Sequence, residues 1–514
     1  MGQDFSLTEA GNFVIKDYQD KSTFASFLPG IAGKLGIPIW AFYVNRGQGL
    51  ASFGIENKDH PIMEFYPANK SYQNVETKGF RTFIKLENND RETVYEPFRE
   101  VNEHISTEMT IAPYQLTIEE KNLKLGLEVI VNYYILPNEN FGGLVRRVEV
   151  KNTTGRNKDI EVLDGMPMLI PYGIGNDALK EVSQTISAWA KVYAFDEGTP
   201  FYRLRASAED EAAVSKMEAG NFYIPFAKQE GENQLLQPLV DPKVIFEHRT
   251  SLEEAVGFKK RDLTDYDGKQ ILENRFPAAM ASHKEELCCG EGLEINSVFG
   301  HLADQDRLAE VTEKVMEPGF LEEKAEETAQ LHDYYADHIF TVSGEDRLDA
   351  YSRQTFMDNI LRGGFPISLG ADSDTTYHIF SRKHGDLERD YNEFSLEPAY
   401  YSQGNGNFRD VNQNRRCDVF FNPEVEEHNL KLFANLIQPN GYNPLVIEGS
   451  KFYIPDEKEQ QELAQHAAEK QGKLVERLKD TFTPGEIAVF IDDHDINLDV
   501  DIPEFVDLVI DSAE

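Results

Sequence analysis

Hydrophobic and polar positions alternate in short runs from about residue 10 to residue 300. Ile37-Pro-Ile-Trp-Ala-Phe-Tyr-Val44, Arg81-Thr-Phe-Ile-Lys-Leu86 and Leu127-Glu-Val-Ile-Val-Asn-Tyr-Tyr-Ile135 are rich in β-branched and aromatic residues, which fit a pleated, half-buried surface. Gly143-Leu-Val-Arg-Arg-Val-Glu-Val150 alternates cleanly. Turn chemistry separates the runs at Asn45-Arg-Gly-Gln-Gly49, Asn88-Asn-Asp90 and Asn152-Thr-Thr-Gly155. Many strands without long interleaved helices predict a large antiparallel β-sandwich over residues 1–304.

The period changes near residue 305. Leu308, Val311 and Val315 fall at helical spacing within Asp306–Glu317, Pro318-Gly319 breaks the pattern, and a charged helix follows from Phe320 to about His338. This predicts a helical linker over 305–340. The remainder, 341–514, reads as all-helical. Asp346–Leu361 is a helix stopped by Gly363-Gly364. Asn422 reads as an N-cap with Pro423 in the first turn and Val425, Leu432, Phe433, Leu436 and Ile437 on an apolar stripe ending at Pro439-Asn-Gly441. Asp456–Lys479 and Ile502–Ala513 complete the set. These helices are too few for the six helical hairpins of an (α/α)6 toroid.

Composition narrows the function classes. A chain of 514 residues holds at least two domains. Its 51 Lys and Arg against 90 Asp and Glu give a net charge of −39, which argues against a nucleic-acid partner. No run approaches the ~18 apolar residues of a membrane span, and MGQDFSLTEAGNF lacks the features of a secretory signal. Met1-Gly2 with Ser6 is a bare myristoylation pattern without a polybasic stretch. Three cysteines, Cys288, Cys289 and Cys417, form neither a disulfide framework nor a zinc spacing. The chain therefore reads as cytoplasmic, with the sequons at Asn69 and Asn152 taken as chance. Asp493, Asp495, Asn497, Asp499, Asp501 and Glu504 follow a calcium-loop register, but Leu498 falls where the turn needs glycine and Pro503 opposes the exiting helix. That run reads as a solvated acidic connection, and no metal is expected.

The densest polar stretch is SRKHGDLERDYNEFSLEPAYYSQGNGNFRDVNQNRRCD, from Ser381 to Asp418. Carboxylates beside amides and tyrosines suit a sugar, whose hydroxyls both donate and accept and whose C–H face stacks on aromatics. A polar loop of this length is expected to be functional.

Gly406-Asn-Phe408-Arg409-Asp410-Val-Asn412-Gln413 resembles the glycine–aromatic–Arg–Asp–x–Asn–Gln motif of the cellobiose-phosphorylase-like inverting glycoside phosphorylases, glycoside hydrolase family 94 and the related β-glucan phosphorylases. Tyr400-Tyr401 resembles the paired tyrosine upstream of that motif. Ser297-Val-Phe-Gly-His-Leu302 resembles the family's junction between sandwich and helical linker. The resemblance implies a β-sandwich, a helical linker and the first part of an (α/α)6 toroid. It also implies that Arg409, Asp410, Asn412 and Gln413 hold the −1 sugar, with Arg389, Asp390 and Tyr401 behind them. The expected reaction is cleavage of β-linked glucosides, with inorganic phosphate as co-substrate, to α-glucose 1-phosphate. No other cofactor is implied.

Two positions depart from the pattern: Asn414 replaces the Asp that usually follows Asn-Gln, and Gly404 stands where the family has an arginine. The family's general acid, in an Asp-Trp-Asn-Asp-like motif, and its phosphate site are absent between Asn412 and Glu514, where there is no tryptophan. Phosphate is itself the nucleophile, so one acid suffices, and its loss costs roughly 10²–10⁴-fold. The acid is therefore expected downstream of Glu514. The expected partners are a β-linked oligosaccharide and phosphate, with a homodimer or a missing C-terminal half. The rival expectation is a non-catalytic oligosaccharide-binding or partner-completing subunit.

Overall fold

The protein is described by a computed structural model that covers residues 4–88, 91–206, 217–229, 231–372, 375–383 and 393–514. Its first 300 residues form a large antiparallel β-rich body. An 11-stranded sheet has at its centre Leu127–Ile135, Gly142–Asn152, Gly292–Leu302 and Gly220–Gln229, in that spatial order. A 5-stranded sheet runs Pro238–Leu239, Ala279–Leu287, Lys158–Met166, Arg81–Asn88, Arg91–Tyr95, and a 4-stranded sheet is built from residues 25–63. Helices interleave among the strands, which the β pattern does not show: Ala68–Lys78 is the longest, and Asn176–Glu181, Ser183–Ile186, Pro242–Phe246 and Val256–Lys260 are short.

One core takes side chains from all three sheets, among them Val129 and Val131, Ile84 and Val162, and Tyr43 and Phe53. Strand Gly142–Asn152 shows why strict alternation fades at its start. Leu144 faces this core, whereas Val145 faces a second layer with Phe222, Val298 and the helical residues Leu308, Val311 and Phe320. Helices Leu308–Val315 and Phe320–Ala336 thus cover the outer face of the large sheet.

The region after residue 340 is helix-rich, but it is not all-helical. Phe365–Leu369 pairs with Thr375–Ile379, and Gly406–Asn407 pairs with Val446–Ile447. Helix Asp346–Gly363 ends at Gly364, with φ 91°. The expected helix over 456–479 is two, Glu457–Leu463 and Gln471–Leu478, because Lys470 takes a left-handed conformation between them. Asn422 makes no side-chain cap; a single 3-10 turn, Pro423–Val425, precedes helix His428–Asn435, and Glu426 at φ 45° separates them. Pro484–Asp493 starts at a capping box between Thr483 and Glu486. Among the described residues no helix is long and apolar enough to cross a membrane.

Candidate functional site

The resemblance motif is not a loop. Asn407 pairs with Val446, the Phe408 N–H donates to the Leu445 carbonyl at 3.0 Å, and helix Phe408–Arg415 begins there. Val411 and Arg415 point inward and are buried. At 3.6 residues per turn, Arg409 and Gln413 then point directly away from that buried side and are exposed, while Asp410 and Asn412 sit half-buried on its two opposite flanks. Gly363 seats this helix against Asp346–Gly363: a Cβ there would lie 3.0 Å from the Asn414 Cβ, and the Arg415 Nε donates to the Gly363 carbonyl at 2.5 Å.

Asp410 is the chemical centre of this face. It accepts from Arg409 at 2.9 Å and from Asn407 at 3.2 Å. Partial burial would raise its carboxyl, but the hydrogen bonds from Arg409 and Asn407 outweigh burial and hold it below the usual range. The position is in the first turn, where the helix dipole favours a negative charge. Asp410 is thus an ionised acceptor, suited to hydroxyl groups and unsuited to acid catalysis. Arg409 is 86% exposed, so its guanidinium is available to a ligand.

Tyr401 lies elsewhere. It is buried in the helical core at φ 49°, its N–H donates to the Lys34 carbonyl, its own carbonyl accepts from the Tyr377 hydroxyl, and burial pushes its phenol up to about 12. Its role is packing. Arg389 and Asp390 lie outside the described residues. At Gly404 a Cβ would sit 1.8 Å from the Ser395 carbonyl oxygen, so this backbone cannot carry the arginine of the family pattern. The acidic run near the end diverges instead of converging: Asp493 pairs with Arg307, Asp499 with His466, and Asp501 caps Glu504.

A second polar cluster lies beneath the motif helix and had no signal in linear spacing. His378 Nε2 is 2.9 Å from Asp418 Oδ2, and Asn429 donates to the same oxygen at 3.0 Å. Burial pushes the Asp418 carboxyl up to about 7, against the Asn429 hydrogen bond and the Arg415 charge. Burial likewise drives His378 well below its ordinary range, helped by Arg415 and His428, and lowers Arg415 to about 10. The adjacent cleft, lined by Asn414, Cys417 and Asp418, has room for about 10 Å³, too little for a sugar.

No protein-family model matches the chain, and no curated protein matches it. Of the chains of known structure, 68 match. They include a polysaccharide lyase at 9% identity, covering 54% of this chain and 34% of that one, with a TM-score of 0.31. A protein described as an aldose 1-epimerase from Klebsiella pneumoniae subsp. pneumoniae matches at 10% identity, covering 60% and 92%, with a TM-score of 0.26. A protein described as a kojibiose phosphorylase from the human microbiome matches at 8% identity, covering 72% and 35%, with a TM-score of 0.23. The chain spans about a third of the length of the lyase and of the phosphorylase. Likenesses this slight carry no argument about mechanism.

Proposed function

We propose that the chain binds a β-linked glucan on the outward face of helix Phe408–Arg415, as the sandwich, linker and first toroid hairpins of an inverting glycoside phosphorylase. The domains would divide at residues 304 and 340. The observation that carries this reading is the ionised Asp410 held by Arg409 and Asn407 at the edge of the exposed helix face that presents Arg409 and Gln413. Such a face offers hydroxyl groups both acceptors and donors. Phosphate and the proton for the glycosidic oxygen would come from another body. Burial raises the Asp418 carboxyl to about 7, but its cleft is too narrow to admit the sugar.

A second reading, a non-catalytic subunit completed by a partner, is favoured by apolar side chains left in water around the same helix. Phe420 is 78% exposed, Leu430 76%, Tyr442 73% and Leu445 87%. Exposure on this scale marks an interaction surface.

Calorimetry with cello-oligosaccharides tests the binding claim. Asp410→Ala should weaken the glucan at least tenfold, and unchanged affinity would overturn the site. Phosphate added to the glucan-loaded chain should release no glucose 1-phosphate; turnover by the purified chain would exclude the division of labour.

A further inference from the structure

The outer face of the 5-stranded sheet changes character along its strands. Cross-strand pairing places Ser282, Leu163 and Phe83 in one row, Lys284, Glu161 and Lys85 in the next, and Glu286 beside Asp159 in the row after that. The first row is roofed by Val244, Phe246 and Phe258 from the segment between residues 242 and 263. That roof ends at Arg261-Asp262, and the next row opens into a cleft of about 340 Å³. This lies within the range of small-ligand sites, ~300–1,000 Å³.

The floor of the cleft is rigid. Lys85 and Glu161, 7% and 3% exposed, pair at 2.6 Å. Lys85 also donates to the Arg261 carbonyl at 2.8 Å, and Glu161 accepts from the Leu263 N–H at 2.7 Å and from Ser282 at 2.9 Å. Every strong polar group of the floor is thereby fixed in place before a ligand arrives, which lowers the ordering cost of binding. The walls add Lys284 paired with Asp262 at 3.1 Å, together with Lys260, Glu92 and Asp159.

Charge selects the ligand class. The lining carries four cations and four carboxylates, a local balance of zero in a chain whose total is −39. An anion would meet Glu92 and Asp159, and a polycation would meet the lysines. A neutral polyhydroxylated molecule can donate to the carboxylates and accept from the ammonium groups at once. We propose that this cleft is a second carbohydrate site, holding one or two neutral sugar units against the sandwich, remote in sequence from helix Phe408–Arg415 and independent of its function.

The test is calorimetry of the full chain with cellotetraose, maltotetraose and xylotetraose in turn, on the wild type, on Asp410→Ala and on the double variant Asp159→Asn, Lys284→Met. Both positions of the double variant are exposed on the sheet face, and a thermal unfolding scan confirms that the variant folds. At least one probe should give a heat that survives Asp410→Ala and weakens at least tenfold in the double variant. If no probe gives such a heat, or if glucose 1-phosphate competes for it more strongly than the neutral sugars, the proposal is overturned. Loss of all heat in Asp410→Ala, with the heat intact in the double variant, assigns the binding to the motif helix and overturns the cleft.

Discussion

The β-rich body and the helix-rich region that follows it differ in how completely they enclose their side chains. In the first, a guanidinium and a carboxylate are wholly buried: Arg146 and Asp164, both 0% exposed, pair at 2.7 Å and share hydrogen bonds with Gln48, Thr82 and Tyr133. In the second, large apolar side chains stand in water: Phe340 is 72% exposed, Val342 80% and Leu445 87%. A body that can enclose an ion pair completely has a core to spare. Large apolar side chains left uncovered on this scale are what the interaction surface proposed above would present. The contrast sets an enclosed scaffold beside a region that carries a candidate interaction surface.

The strongest way to break that comparison is at the buried pair. Asp164→Ala leaves the Arg146 guanidinium uncompensated between the Phe80 and Tyr133 rings. Removing one partner of a buried pair costs about 3–5 kcal/mol, so denaturant unfolding of the β-rich body should shift by that amount. A loss under about 1 kcal/mol would mean that the pair is solvated and the scaffold is not self-sufficient.

A smaller, signed effect belongs to His378 and Asp418. The Asp418 carboxyl titrates at about 7 in the fold against an ordinary value of 3.8, so its contribution is complete at low pH and is lost as pH rises through about 7. His378 is depressed below 6.5, so its contribution is complete above 6.5 and is lost as pH falls through the folded value. The two slopes oppose each other below pH 6.5, down to the depressed folded pKa of His378. Stability of the helix-rich region should therefore rise with pH in Asp418→Asn and fall with pH in His378→Gln, at most about 1.4 kcal/mol per pH unit for one proton. Urea midpoints at pH 5 and pH 7 for both variants read this directly, and parallel trends would sink the assignment.

What the sequence made legible follows from the same contrast. Strands such as Leu127–Ile135 are readable because one buried face imposes alternation, and the junction near residue 305 because the period changes there. The helix break at Lys470 depends on a left-handed residue that carries no glycine signature. The motif's outward face was legible once Phe408–Arg415 was helical, yet the polar stretch around it read as a loop because its anchors, Leu445, Val446 and Gly363, are distant in sequence. Tyr401 looked like a sugar-stacking ring for want of any linear sign that Tyr377 and Lys34 enclose it. The sheet cleft was invisible for a related reason. Its Lys–Glu–Lys row joins residues 85, 161 and 284 through strand register alone.

The smallest expected effect on stability sharpens the comparison most. Replacing an exposed apolar residue removes little burial, so Phe420→Ser and Leu445→Ser should each change unfolding free energy by no more than about 0.5 kcal/mol. If these exposed side chains form an interaction surface, the pair of substitutions should nonetheless cut binding of a hydrophobic dye and reduce self-association in light scattering. The matching control is a core position of the β-rich body. Phe53 is buried against Phe80 and Phe299, and Phe53→Ala should cost about 3–5 kcal/mol while exposing apolar surface it did not show before. Should the two surface substitutions instead destabilise the chain by several kcal/mol with no change in dye binding, those side chains are already packed in solution. The helix-rich region would then be as self-sufficient as the sandwich, and a partner would be unnecessary.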